Sequence, residues 1–174
     1  MESFPPDWNE FIGSLKRHRV RYLVVDAHAL AANGRPRATA DLDLFVERSP
    51  SNVSRLGRAL ADFGFADLAR HVDRLNEPER MAALGSPPLR VDIMNRIDGV
   101  SFARAWSGRL RAKLGSHMVG FLGLRDLRAN KRAAGRPKDL ADVALLDEMD
   151  RATGAHRHVP RRTPTARSDR RPPS

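Results

Sequence analysis

The stretch Val20–Val46, VRYLVVDAHALAANGRPRATADLDLFV, carries most of what this chain reveals about its fold. Tyr22–Val25 is a β-branched and aromatic run, so a strand is expected there. Ala27–Ala32 is alanine-rich and predicts a short helix, which Asn33 and Gly34 end. Leu42–Val46 predicts a second strand. Within DLDLFV, Asp41 and Asp43 are separated by one residue, and strand side chains alternate faces. Both carboxylates therefore share one face, while Leu42, Leu44 and Val46 share the other. Two carboxylates held together repel unless a cation or a proton lies between them. Magnesium favours oxygen ligands and commonly uses one or two carboxylates plus substrate phosphates.

A third acid joins them by the same arithmetic. The run LRVDIM, after Gly85-Ser-Pro-Pro, alternates as a third strand. Leu89, Val91 and Ile93 share one face, leaving Asp92 on the other. If the strands are neighbours, Asp92 completes a set with Asp41 and Asp43. Three carboxylates can hold two metals about 4 Å apart, the arrangement of in-line phosphoryl displacement. The competing reading is that D-x-D marks an exposed strand face.

Outward from these runs, Trp8, Phe11, Ile12 and Leu15 recur at helical spacing over 7–18. Ser51 is the expected cap of a helix reaching about Phe63, with Val53, Leu56 and Leu60 inward and Gly64 as its stop. Residues 66–83 read as further helix, and Ser101–Leu110 as a short one. His117–Phe121 is the expected fourth strand. Helices over Leu124–Ala134 and Pro137–Asp150 follow, split by Gly135-Arg-Pro. The expectation is a mixed α/β (α+β) domain over residues 1–150: a short mixed sheet flanked by helices, then a C-terminal helical hairpin.

The chain has 174 residues and no cysteine, which excludes disulfides, thiolate metal sites and cysteine catalysis. No apolar run approaches a membrane span. MESFPPDWNE lacks a basic region before an apolar stretch, so no secretory signal is expected, and the expected location is cytoplasmic with no membrane partner. The 31 Lys and Arg against 21 Asp and Glu leave a formal charge of +10, which suggests a polyanionic partner. Residues 151–174 hold seven Arg, four Pro and one acid, and read as a disordered, basic Arg/Pro-rich tail of net +6. Such a tail is either a solubilising extension or a salt-sensitive nucleic-acid contact. The first 150 residues carry only +4.

The Val20–Val46 stretch resembles the signature of the nucleotidyltransferase superfamily with the DNA polymerase β-like fold. It is most similar to small bacterial proteins of the minimal, or AbiEii-like, type. In those a strand ends in a glycine turn, a short helix follows, and a T-x-D-x-D strand comes next; Thr39, Asp41 and Asp43 match its end. The run DLRANKRAAGRPKDLADVALL resembles their C-terminal helical segment, and the likeness covers most of residues 10–148. It implies transfer of a nucleoside monophosphate from an NTP to an acceptor hydroxyl, in RNA, a protein or a small molecule, with pyrophosphate released. It also implies Mg2+ or Mn2+ on Asp41, Asp43 and Asp92, with Asp92 favouring deprotonation of the acceptor. Arg35 and Arg37, Thr39, and Lys131 or Lys138 become candidate nucleotide contacts, Lys131 foremost. Related small proteins often serve in toxin–antitoxin pairs, so a cognate toxin or antitoxin is an expected partner.

One position departs from the pattern. The glycine turn falls at Asp26-Ala27, with thirteen residues, 28–40, before Asp41. Glycine lets the backbone approach phosphate closely. Aspartate adds bulk and like charge there. Asp26 can turn away, serve as a further metal ligand, or mark a site that has lost its activity. The alternatives to an enzyme are thus a catalytically degenerate binding protein of the same fold, or a basic nucleic-acid binder acting through its tail. His28 follows the turn as a candidate nucleotide contact or a structural helix-start histidine. Arg136 and Asp139 are expected to pair at the start of the last helix.

Overall fold

The computed structural model describes residues 4–87 and 89–155. Helix α1 (Pro6–Arg17) buries Trp8, Phe11, Ile12 and Leu15, the face that the 3.6-residue period defines. Strand β1 (Tyr22–Val24) leads into α2 (Asp26–Ala32) and then β2 (Asp41–Val46). Helix α3 (Pro50–Asp62) is capped by Ser49, whose hydroxyl accepts from the Asn52 amide at 3.3 Å. The cap is therefore Ser49 rather than Ser51. Proline at 50 is the reason, because its fixed φ and missing donor suit the first helical position. Gly64, at φ 99°, ends the segment beyond α3.

The region 66–83 differs from the helix expected. It forms one turn of helix, α4 (Ala66–Ala69), a 3-10 turn (Val72–Asn76), and then strand β3 (Met81–Leu84). The strand pairs antiparallel with β4 (Arg90–Met94), so hydrogen bonding to its neighbour overrides the weak local pattern. Helix α5 (Phe102–Ser107) ends before Leu110, which opens a hairpin of β5 (Leu110–Leu114) and β6 (His117–Phe121). The sheet thus has six strands, in the order β3-β4-β2-β1-β6-β5, where four were expected. Helix α6 (Leu124–Ala134) ends at Gly135, whose φ of 64° closes it. Helix α7 (Pro137–Ala155) continues five residues past the expected start of the tail, whose remainder, 156–174, lies outside the described residues.

The architecture is the mixed α/β one expected: a six-stranded mixed sheet flanked by helices. Strands β2 and β4 are parallel, as are β1 and β6, while β1 runs antiparallel to β2. Leu23, Leu42, Leu44, Val91 and Ile93 from the sheet join Phe11, Leu15, Leu56 and Leu60 from α1 and α3 in one buried core. Leu89 does not join it. It is 37% exposed, and its carbonyl accepts from the Trp8 indole at 3.2 Å. No helix among the described residues is long and apolar enough to cross a membrane.

Candidate functional site

The directions of three strands bring the acids to one end of the sheet. The C-terminal end of β1 and the N-terminal ends of β2 and β4 coincide, because β2 is antiparallel to β1 and parallel to β4. Asp43 is the register partner of Asp92, and Asp41 that of Arg90. Register partners on neighbouring strands share a face, so Asp43 and Asp92 form a like-charge pair across the sheet. Leu42 and Leu44 point the other way and are fully buried. The alternation read from the sequence is thus what directs the carboxylates outward.

Asp43 and Asp92 open into a cleft of about 650 Å³, together with Asp26 from the start of α2. Burial first, then the charges of Asp26, Asp92 and Asp41, push the Asp43 carboxyl up to about 6. The crowding is partly relieved at Asp92, where Arg90 Nε donates to Oδ1 at 2.7 Å. Arg90 and Asp92 lie two residues apart on one strand face, which makes the contact local. Asp41 lies on the same face of β2, outside the lining of the cleft. Its amide donates to the Thr39 hydroxyl at 3.2 Å, so Thr39 closes the chain at the strand's start.

This donor set suits a hard divalent cation. Three carboxylates lie on one strand face and its neighbour, and the charge of Asp43 is held at a cost that a cation would remove.

Asp26 resolves its anomaly by geometry. Its φ is 46°, the left-handed conformation that glycine adopts freely and aspartate tolerates better than most residues. Its carboxylate accepts from Lys131 Nζ at 2.7 Å, and Lys138 Nζ lies 3.9 Å away. Burial opposes its charge, but the Lys131 hydrogen bond and the charges of Lys131, Lys138 and Arg37 outweigh it, so its carboxyl titrates below the usual range. Ala27 is buried behind it.

Lys131 is the centre of a second, buried cluster. Its ammonium lies 2.7 Å from Asp26, 3.1 Å from Asp139 and 2.7 Å from Asp142. The carboxylate oxygens of those three acids approach within 4.8 Å of one another, a spacing that fits a metal ion. The lysine ammonium already takes the central position. Burial would lower the Lys131 pKa, but its bonds to the three carboxylates raise it. Arg136 pairs with Asp139 as expected, and Arg37 reaches Asp142 at 3.2 Å. Three cations thus face three carboxylates, and Lys138 adds a fourth at the rim.

The candidates therefore divide. The structure brings Asp26, Asp43 and Asp92 to one cleft, with Asp41 beside it. It does not leave Lys131 open to phosphate, because the lysine is buried among carboxylates. Arg37 is engaged by Asp142, and Arg35 donates to the Leu145 carbonyl at 3.4 Å. Lys138 is the exposed lysine of the pair. His28 turns toward the N-terminal aromatics, edge-on to Trp8 at 5.7 Å and to Phe4 at 6.3 Å, and burial lowers its pKa.

The cleft also contains Arg80, Arg96 and Asn130, which the sequence reading did not single out, and Arg136, which was expected only as the partner of Asp139. Arg80 and Arg96 pair with Glu77 and Glu79. Arg80 directly precedes β3 and Arg96 follows β4, the antiparallel partner of β3; reading 66–83 as helix hid that pairing and with it this wall of the cleft. Asp142 was also missed. Its signal was legible: Asp139, Asp142, Val143 and Leu146 share one buried helical face, and acids there need a partner.

Fold and cleft together define a mixed α/β domain with an acidic site at one end of its sheet. One solved structure to which it is similar is that of a candidate nucleotidyltransferase from Thermotoga maritima, at a TM-score of 0.46 and 12% identity, covering 85% of this chain and 91% of that one. No family model and no curated protein matches the sequence.

Proposed function

We propose that this protein is a metal-dependent nucleotidyltransferase. The observation that carries the reading is the register of β2 against β4, which sets Asp43 against Asp92 at the mouth of a cleft with Asp41 two residues back. The T-x-D-x-D resemblance supports the same assignment. Asp41, Asp43 and Asp92 would hold Mg2+ or Mn2+, which would offset the charge of the triphosphate. Lys138, exposed at the rim, is the cation best placed to meet a phosphate. An acceptor hydroxyl oxygen would bond to the α-phosphorus as the bond from that phosphorus to the leaving pyrophosphate breaks. Asp92, released from Arg90, would take the hydroxyl proton at a carboxylate oxygen. The acceptor class is RNA, protein or a small molecule, and a toxin–antitoxin pairing is the biological setting the resemblance implies.

The second reading is a degenerate binding protein of this fold. Asp26 at the glycine turn, with Lys131 already committed to three acids, favours it. Incubation with each labelled NTP, Mg2+ or Mn2+, and mixed RNA and protein extract separates the two. Label transfer by the wild type that falls to background in Asp41→Ala and Asp43→Ala supports the enzyme. A silent wild type, with transfer appearing in Asp26→Gly, establishes the degenerate site.

A further inference from the structure

A second cleft lies at the far end of β1 from the acids. It encloses about 350 Å³ between the end of α1, the start of β1, α5 and the β5–β6 hairpin. Lys16, Arg19, Arg21, Arg109 and Arg111 line it with Trp106, and no acid does. Arg21 pairs with Glu47 at 2.5 Å, outside the lining. Lys16, Arg19 and Arg111 are exposed and make no ion pair among the described residues. The guanidinium groups of Arg21 and Arg109 lie 4.7 Å and 4.2 Å from the Trp106 ring centroid, and Phe102 stacks on that ring at 5.7 Å.

We propose that this cleft binds a single-stranded nucleic-acid segment. Three unpaired cations supply phosphate contacts, and arginine forks suit phosphate oxygens. Trp106, with the Arg21 and Arg109 guanidinium groups over its ring, gathers the aromatic and cationic groups on which unpaired bases stack. A lipid surface is a poor fit, because the cations line a concavity and Met118 is, among the described residues, the one large apolar side chain of the lining that is exposed. A duplex is a poor fit because the aromatic platform needs a free base face. The residues lining this cleft share none with the cleft that holds Asp26, Asp43 and Asp92, which lies at the other end of β1. The inference therefore stands whether or not nucleotidyl transfer occurs, and its test involves neither NTP nor metal.

The test is fluorescence anisotropy with the full-length protein in EDTA and a labelled oligouridylate of about ten nucleotides. Arms with the DNA oligomer of the same length and with a duplex identify the strand type. Lys16→Glu/Arg111→Glu changes two exposed side chains and spares the core. Arg58→Glu/Arg74→Glu makes the same charge change elsewhere. The first pair should weaken single-strand binding at least 10-fold and reduce the slope of log K against log salt by about 1.4. The second should leave binding within about 2-fold. Trp106→Ala should weaken binding with the salt slope unchanged, and Trp106→Phe should restore most of it. No binding by the wild type overturns the proposal. So does equal loss in both charge pairs, unchanged binding in Lys16→Glu/Arg111→Glu, tighter binding of the duplex, or capture by anionic phosphatidylserine vesicles in place of the oligomer.

Discussion

Asp43 sits where burial and three neighbouring carboxylates all oppose its charge. Its folded-state pKa of about 6 exceeds the ordinary 3.8, so the folded protein holds a proton there more tightly than the unfolded chain. Stability therefore falls as pH rises from about 4 through 6, and the full penalty is present above 6. Asp43→Asn removes that penalty. Its melting temperature should exceed the wild type's at pH 7.5 and converge with it near pH 4, by differential scanning fluorimetry. Millimolar Mg2+ should raise the wild-type melting temperature at pH 7.5 and leave Asp43→Asn nearly unmoved. An equal metal response in both proteins would show that the acids do not bind the ion. The alternation Asp41-Leu42-Asp43-Leu44 was legible without a structure, because a period of two sends acids and leucines to opposite faces. The contact between Arg90 and Asp92 was equally local. Yet the pKa of Asp43 was not legible, because it depends on Asp26 and Asp92, which reach it only through strand pairing.

Among the elements, the α6–α7 hairpin carries the buried charges. Lys131 on α6 meets Asp139 and Asp142 on α7 across the Gly135 turn, and Asp26 from α2 closes the set. The hairpin boundaries were readable from Gly135 and Pro137, since glycine at positive φ ends one helix and proline starts the next. Its role was not. A KRAAGRPKD run looks like a solvated, phosphate-seeking surface until the inner face of α7 turns its acids onto the lysine. Removing one partner of a buried ion set leaves uncompensated charge, which costs about 3–5 kcal/mol. Lys131→Met should destabilise the protein by that amount in urea titrations at pH 7.5, with the loss shrinking as pH falls and the acids protonate. A loss below about 1 kcal/mol would mean that Arg37, Arg136 and Lys138 suffice to hold the carboxylates. The β3 and β5 strands show the opposite failure of reading. Met81–Leu84 lacks an alternating pattern, whereas Leu110–Leu114 alternates apolar and polar residues but overlaps the helix expected to run to Leu110; both are strands because an antiparallel neighbour supplies their hydrogen bonds.

For the whole molecule, the join between the β5–β6 hairpin and the C-terminal helices is the tightest constraint. Gly123 lies between β6 and α6, and a methyl group there would strike the Gly108 carbonyl oxygen at the end of α5. Both partners are backbone, so neither can give way. Gly123→Ala should cost several kcal/mol, at the upper end for point substitutions, read as a lowered urea midpoint with unchanged slope. A near-neutral result would show that the α5–β5 corner shifts freely. The two clefts sit at opposite ends of β1, one acidic and one basic. The formal +10 of the chain thus conceals a local division that net charge cannot express.

By itself the sequence determined the core strands, the amphipathic faces of α1 and α3, the helix stops and the outward acids of β2 and β4. These follow from periods of 2 and 3.6 residues and from the backbone limits of glycine and proline. Only the tertiary structure decided which acids meet one another, that Lys131 is spent on Asp26, Asp139 and Asp142, and that Lys16, Arg19 and Arg111 share a cleft with Trp106. Those outcomes depend on strand order and helix docking, where groups up to 116 positions apart in the sequence, Asp26 and Asp142, come within 4.8 Å. Charge acts through space, and local periodicity carries no record of that distance.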